Sequence, residues 1–226
     1  MHKRYIPFAV FFLAVLLVLF AHLCGRTMAA PAFTFAAEQK EIYLTFDDGP
    51  STVVTGNILD TLKKENVKAT FFIVGERVHG RKSVLQRIAN EGHTVGVHSA
   101  SHCYEEIYSS NEALSKDVAA CAEMIERITG TPPHFYRFPG GGKRTTMAGL
   151  VQGMGYEIVG WNAVCGDEEI PNADADTLIK TAIATAKGKA RVVLLMHDSA
   201  PHTATAEALP AIIDHFRKEG YVFKAF

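Results

Sequence analysis

The stretch E41-IYLTFDDGPS-T52 reads as a short buried β-strand that breaks into a Gly-Pro turn with two aspartates, Asp47 and Asp48, at the break. Adjacent carboxylates repel each other, and the end of a buried strand is an unfavourable place for charge. In a regular strand the two would point to opposite faces. Where the strand gives way to Gly49 and Pro50, both can turn to the same side.

Further runs of the same kind follow: ATFFIVG (69–75), HTVGVH (93–98), HFYRF (134–138), EIVGW (157–161), RVVLLMH (191–197) and YVFKAF (221–226). They are short, rich in β-branched and aromatic residues, and mostly continuous rather than alternating, as befits strands covered on both faces. Between them lie segments with apolar residues at i, i+3 and i+4, predicted as helices over 53–66, 81–92, 111–130, 145–155, 175–188 and 205–220. Several end in glycine, the usual left-handed cap. Strand–helix alternation predicts an α/β fold with a parallel sheet, and seven strands suggest a closed or nearly closed (β/α) barrel. An open doubly wound sheet is the structural rival, but no Gly-rich phosphate turn follows the first strand to support its nucleotide-binding form.

The 226 residues carry 23 basic and 24 acidic side chains and are 48% hydrophobic, which suits one globular domain with an extra segment. A net charge of −1 argues against a nucleic-acid binder. Residues 6–24, IPFAVFFLAVLLVLFAHLC, hold no acid, Lys or Arg, and Lys3 and Arg4 precede them. At ~1.5 Å per residue such a helix can span a bilayer, whereas a signal core needs only about 7–15 apolar residues. Residues 1–24 are therefore expected to be a retained membrane anchor or a cleaved signal, 25–39 a linker, and 40–226 the exported domain. Of the cysteines Cys24, Cys103, Cys121 and Cys165, only three are exported and no CxxC occurs, so neither a disulfide scaffold nor a zinc ribbon is expected. One bridge among the three is compatible with the sequence; buried or free thiols are the simpler reading.

Polar residues of unusual type gather at the strand ends: Asp47 and Asp48 after the first, His98 after the third, Arg137 at the fourth, His197 after the sixth. In a parallel barrel those ends share one mouth, where active sites of this architecture lie. HSASH places His98 and His102 four residues apart, which on a helical turn would stack both imidazoles on one face. Two imidazoles and a carboxylate fill three positions of a zinc-like site and leave room for water. One aspartate can then bind the ion while its neighbour faces the water. Arg137 ends a buried strand and needs a partner, for which Asp47 is the natural candidate. His197 is either a general acid/base or a group hydrogen-bonded into the rim.

With these residues assembled, the chain over about 40–226 resembles the polysaccharide deacetylases of the NodB-like family, carbohydrate esterase family four. TFDDGP, HSASH, RFP and LMH match four of its motifs in order and spacing. The resemblance implies a distorted (β/α) barrel and one divalent metal, usually zinc, held by Asp48, His98 and His102. It further implies Asp47 as general base, held by Arg137, and His197 as general acid, paired with Asp167. The backbone N–H of Gly140 would help to stabilise the oxyanion. The implied activity is removal of N-acetyl groups from a cell-wall polysaccharide outside the cytoplasm, peptidoglycan first, with chitin oligomers or an exopolysaccharide as alternatives. A catalytically silent wall-binding module on the same fold is the non-enzymatic reading. Two departures stand out: Glu168 occupies the place of a usual tryptophan after Asp167, and PGGG replaces the aromatic residue that often follows the arginine motif.

Overall fold

Strand β1 (Glu41–Gly49) lies in the middle of the sheet, with Ile42, Leu44 and Phe46 wholly buried on one face and the polar Thr45 and Asp47 buried on the other. The computed structural model describes residues 39–141 and 145–226, which belong to one compact unit, Glu38–Phe226. Among the described residues seven more strands join β1: β2 (Thr70–Val74), β3 (Thr94–Ser99), β4 (Phe135–Tyr136), β5 (Glu157–Ile158), β6 (Ala163–Val164), β7 (Arg191–His197) and β8 (Val222–Lys224). Every pairing is parallel, in the order β5-β4-β3-β2-β1-β7-β6, with β8 against the first three residues of β1. The sheet curls into a distorted (β/α) barrel that stays open between β5 and β6, which do not pair. All seven expected strands are present. The eighth, β6, is only two residues long and carries too little pattern to be read from sequence.

The helices follow the same logic of one apolar stripe each. Helix α1 (Val54–Glu65) buries Val54, Ile58, Leu59 and Leu62 and ends at Asn66, whose φ of 53° closes it in the left-handed region. Next come α2 (Lys82–Asn90), the single turn α3 (Tyr104–Ile107) and α4 (Asn111–Thr129). The α4 N-terminus is capped by Ser110, which accepts from the Ala113 N–H, a contact worth about 1 kcal/mol. Leu114, Val118, Cys121 and Ile125 of α4 pack into the core. Completing the described residues are α5 (Thr145–Gly153), α6 (Ala175–Ala186), capped by Asp174, and α7 (Thr203–Lys218). Burying each Leu, Ile or Val of these stripes contributes about 1.5–3 kcal/mol.

Parallel strands send all their carboxyl ends to one rim, and the rim is where the polar residues cluster. The opening between β5 and β6 matters for the same reason. The link Val159–Asn162 crosses it, bonding back to Tyr136 through the Val159 N–H and on to Val193 through the Asn162 N–H. The carbonyls of Val159 and Gly160 are left for another donor, and Arg137 supplies it.

The anchor or signal expected at 1–24 and nearly all of the 25–39 linker lie outside the described residues. Among the described residues no helix is long and apolar enough to cross a membrane. Cys103, Cys121 and Cys165 are free, so the single bridge compatible with the sequence is not formed.

Candidate metal and catalytic centre

The two aspartates face one rim because β1 bulges at this point. Its pairing with β2 shifts register between Asp47 and Gly49, and Asp48 adopts φ 75°. A bulge places one extra residue on the strand and re-aims its side chain, and aspartate tolerates the left-handed region better than most residues. Strand pairing persists through Gly49 rather than breaking before it, so the expected strand end lies inside the strand. Behind the bulge stands Asp198, wholly buried, whose N–H donates to the Asp47 carbonyl at 3.1 Å and whose Oδ2 accepts from Thr55 Oγ1 at 2.6 Å. A Cβ on Gly49 would lie 2.2 Å from an Asp198 oxygen, so only glycine fits. Burial, with Asp48 and Asp47 nearby, pushes the Asp198 carboxyl up to about 7.

Asp48 Oδ1 lies 3.0 Å from His102 Nε2 and 3.4 Å from His98 Nε2, buried, yet with no aligned hydrogen bond to either. The three side chains offer one donor atom each within 4.8 Å of one another. His98 Nδ1 contacts the Arg137 carbonyl at 2.7 Å; a carbonyl only accepts, so the proton sits on Nδ1 and the Nε2 lone pair faces Asp48. Burial lowers the His98 pKa in spite of Asp47 and Asp48, keeping the ring neutral, the form that binds metal. Burial opposes ionisation of Asp48 as well, but His102, His98 and Arg77 outweigh it and hold its carboxyl far below the usual range. An orphaned carboxylate oxygen facing a neutral imidazole lone pair and a second imidazole suits one divalent cation.

The helical turn expected for His98 and His102 is not what unites them. His98 is the last residue but one of β3, and His102 lies in the loop beyond the strand at φ 62°. Asp117 of α4 makes that loop: its carboxylate accepts from the Ala100 and Ser101 N–H groups at 3.0 and 3.1 Å and from Ser99 Oγ at 3.1 Å. Ser99 Oγ in turn accepts from the His102 N–H at 2.8 Å.

Arg137 is 1% exposed, and each of its three side-chain nitrogens donates a hydrogen bond. Nη1 reaches Asp47 Oδ1 and Thr45 Oγ1, both at 2.8 Å, while Nε and Nη2 satisfy the carbonyls of Val159 and Gly160. Asp47 Oδ2 is left facing the cluster, 3.9 Å from His98 Nε2. Directly across on β7, His197 is the register partner of Asp47. Its Nδ1 meets Asp167 Oδ1 at 2.9 Å, and Asp167 Oδ2 is fixed by the His197 N–H and by Thr205 Oγ1. Burial disfavours the imidazolium, but Asp167, with Asp47 and Glu168 beyond it, raises the His197 pKa to about 9.

Asp47, Asp48, His98, His102 and His197 line a recess of about 170 Å³ together with Gly140, whose φ is 65°, and Arg137 and Asp167 stand behind it. All eight residues expected from the sequence are therefore placed in or directly behind one site. Sequence reading did not assign Tyr104, Trp161, Leu195 or Glu169 to it, nor Asp117, Thr205 and Asp198 behind it. Trp161, on the crossing link, lines the recess, and a Cβ on Gly141 would sit 2.6 Å from its indole. Glu168 itself lies at the mouth, 3.7 Å from His197 Nε2.

Residues 36–159 match the family described as polysaccharide deacetylase. The chain is 33% identical over 207 residues to a peptidoglycan-N-acetylglucosamine deacetylase of Bacillus cereus, covering 87% of this chain and 73% of that one. It is 35% identical to a peptidoglycan-N-acetylmuramic acid deacetylase of Bacillus subtilis, covering 83% of this chain but 38% of that longer protein. The fold is similar to the crystallised catalytic domain of a peptidoglycan N-acetylglucosamine deacetylase from Eubacterium rectale. That match has a TM-score of 0.77 at 33% identity and covers 88% of this chain and 93% of the other.

Proposed function

The chain belongs to the polysaccharide deacetylase family of hydrolases, and from that premise we propose that it removes N-acetyl groups from the amino sugars of peptidoglycan. The observation that carries the reading is the convergence of Asp48, His98 and His102 beside Asp47, with His197 opposite on the next strand. No member of the constellation is lost, which speaks against a silent binding module.

Asp48, His98 and His102 would hold one divalent ion, and their mixed imidazole and carboxylate donors favour zinc. When bound, such an ion supplies Lewis-acid chemistry, acidifying water and polarising a carbonyl. The chain's own groups do the rest. Arg137 fixes Asp47 with Oδ2 towards the cluster, so Asp47 takes a proton from the water that attacks the acetyl carbonyl. The Gly140 N–H at the recess donates to the oxyanion as the C–O bond forms. His197, held by Asp167, delivers a proton from Nε2 to the departing sugar nitrogen as the C–N bond breaks. Acetate and a free amino sugar leave. Trp161, Tyr104 and Leu195 wall the recess against bulk water.

The apolar run at 6–24 after Lys3 and Arg4 supports a domain, 40–226, working outside the cytoplasmic membrane, tethered or released. Acetate release from purified peptidoglycan and from chitin oligomers, each before and after chelation and zinc restoration, tests the reading. Faster, chelator-sensitive release from peptidoglycan is expected. Release from chitin alone would reject the substrate, and release untouched by chelation would reject the metal.

A further inference from the structure

A second recess of about 390 Å³ adjoins the catalytic one and shares Asp48 and Glu168 with it. Its floor is unlike that of the first. Two guanidiniums, Arg77 and Arg81, come from the segment after β2, and Ser51, Ser199 and His202 face them. Arg77 is committed to Asp48, donating to its main-chain oxygen and lying 3.4 Å from Oδ2. Arg81 is not so committed. Its Nη1 donates to the Arg77 carbonyl at 3.0 Å, which orients the group but neutralises nothing, and no carboxylate of the described residues pairs with it. His202 is held by Ser199 Oγ at 2.8 Å and stacks on His197. Among the described residues Glu168 is the only acid on the rim besides Asp48; it is exposed and lies beside His197 Nε2. With a cation on Asp48, the recess keeps a surplus of positive charge next to the reacting acetamido group.

We propose that this second recess is a carboxylate subsite of the same active site, centred on Arg81, which receives an acidic substituent of the glycan while the acetamido group occupies the first recess. The inference rests on the peptidoglycan reading above. A guanidinium presents paired N–H donors that match a carboxylate, and such charge-assisted contacts are among the stronger hydrogen bonds. Two sources on the polymer carry that chemistry: the lactyl carboxylate of a muramic acid residue without its peptide, and the carboxylates of the stem peptide. A neutral glycan such as chitin offers neither.

Four substrates separate the possibilities: peptidoglycan with its stem peptides, the same polymer stripped of peptide by an amidase, and each of these with its carboxylates capped as methylamides. With the zinc-loaded full chain, capping is expected to raise KM about 5–10-fold, with kcat held, on the polymer bearing the recognised carboxylate. Arg81→Gln should raise KM on the uncapped polymer to the capped value, and Arg81→Lys, which keeps the charge, should restore part of the preference. An effect on stripped chains alone assigns the lactyl group; an effect on stemmed chains alone assigns the peptide. Unchanged KM on capping, or an Arg81→Gln loss equal on capped and uncapped polymers, overturns the subsite and leaves the peptidoglycan reading standing. If no polymer yields acetate, the reading and the subsite fall together.

Discussion

Arg137 Nη1 and Asp47 Oδ1 meet at 2.8 Å inside the barrel wall, and the same guanidinium closes the gap between β5 and β6 by serving the Val159 and Gly160 carbonyls. One side chain therefore joins the fold to the chemistry. Removing one partner of a buried ion pair leaves the other charge uncompensated, at a cost of about 3–5 kcal/mol. Arg137→Ala is expected to lower unfolding stability by that order and to abolish acetate release, measured by urea denaturation and acetate assay. Arg137→Lys keeps the charge but has no planar fork for four acceptors, so it should recover stability more than activity. Equal stability of wild type and Arg137→Ala would contradict this role.

The basic limb of the pH–rate profile should report His197. Its pKa lies above the unfolded value of 6.5, at about 9, because Asp167 outweighs the penalty of burial. The acid form is present below about 9 and lost as pH rises through it. The associated stability is complete below 6.5 and disappears as pH climbs past the folded value. Asp167→Asn should draw the basic limb down towards ~6.5, the ordinary histidine value. A limb that stays put in Asp167→Asn would remove Asp167 as the group tuning His197.

Metal affinity should depend on Asp117, which touches none of the three donors. It builds the loop that holds His102 at φ 62° by accepting from Ala100, Ser101 and Ser99. Groups that orient ligands in this way typically contribute about 10–100-fold in metal affinity. Zinc competition against a chelating dye should show a loss of this order in Asp117→Ala and a smaller one in Asp117→Asn, which keeps one acceptor. An unchanged zinc Kd in Asp117→Ala would show that the loop holds itself.

Acid should weaken the fold through His93. Its Nδ1 accepts from the Ala69 N–H at 3.2 Å, and burial, with Lys68 beside it, lowers its pKa to about 4. Because the folded value lies below the unfolded 6.5, its contribution is whole above 6.5 and is lost as pH falls towards 4. His93→Gln should flatten stability across that window in a series of urea melts; an unaltered slope would contradict it.

What could be read from the sequence had a short-range signal. Continuous apolar runs located β1, β2, β3 and β7, and four motifs located six of the eight expected site residues, Gly140 and Asp167 lying outside them. The bulge at Asp48 and the αL conformation of His102 had none, since both are settled by partners far along the chain: β2 for the first, Asp117 for the second. The four-residue spacing in HSASH suggests helical geometry, whereas a strand end and a braced loop unite the two rings. Trp161 reaches the recess only because β5 and β6 fail to pair, and two-residue strands leave no periodicity to announce that.

The most direct test of the central claim is acetate release from purified peptidoglycan by zinc-loaded Asp47→Asn, with bound zinc quantified in the same sample. One ion per chain, as in wild type, with release lowered about 10²–10⁴-fold is expected if Asp48, His98 and His102 hold the metal while Asp47 moves the proton. Full metal content with undiminished release would contradict it.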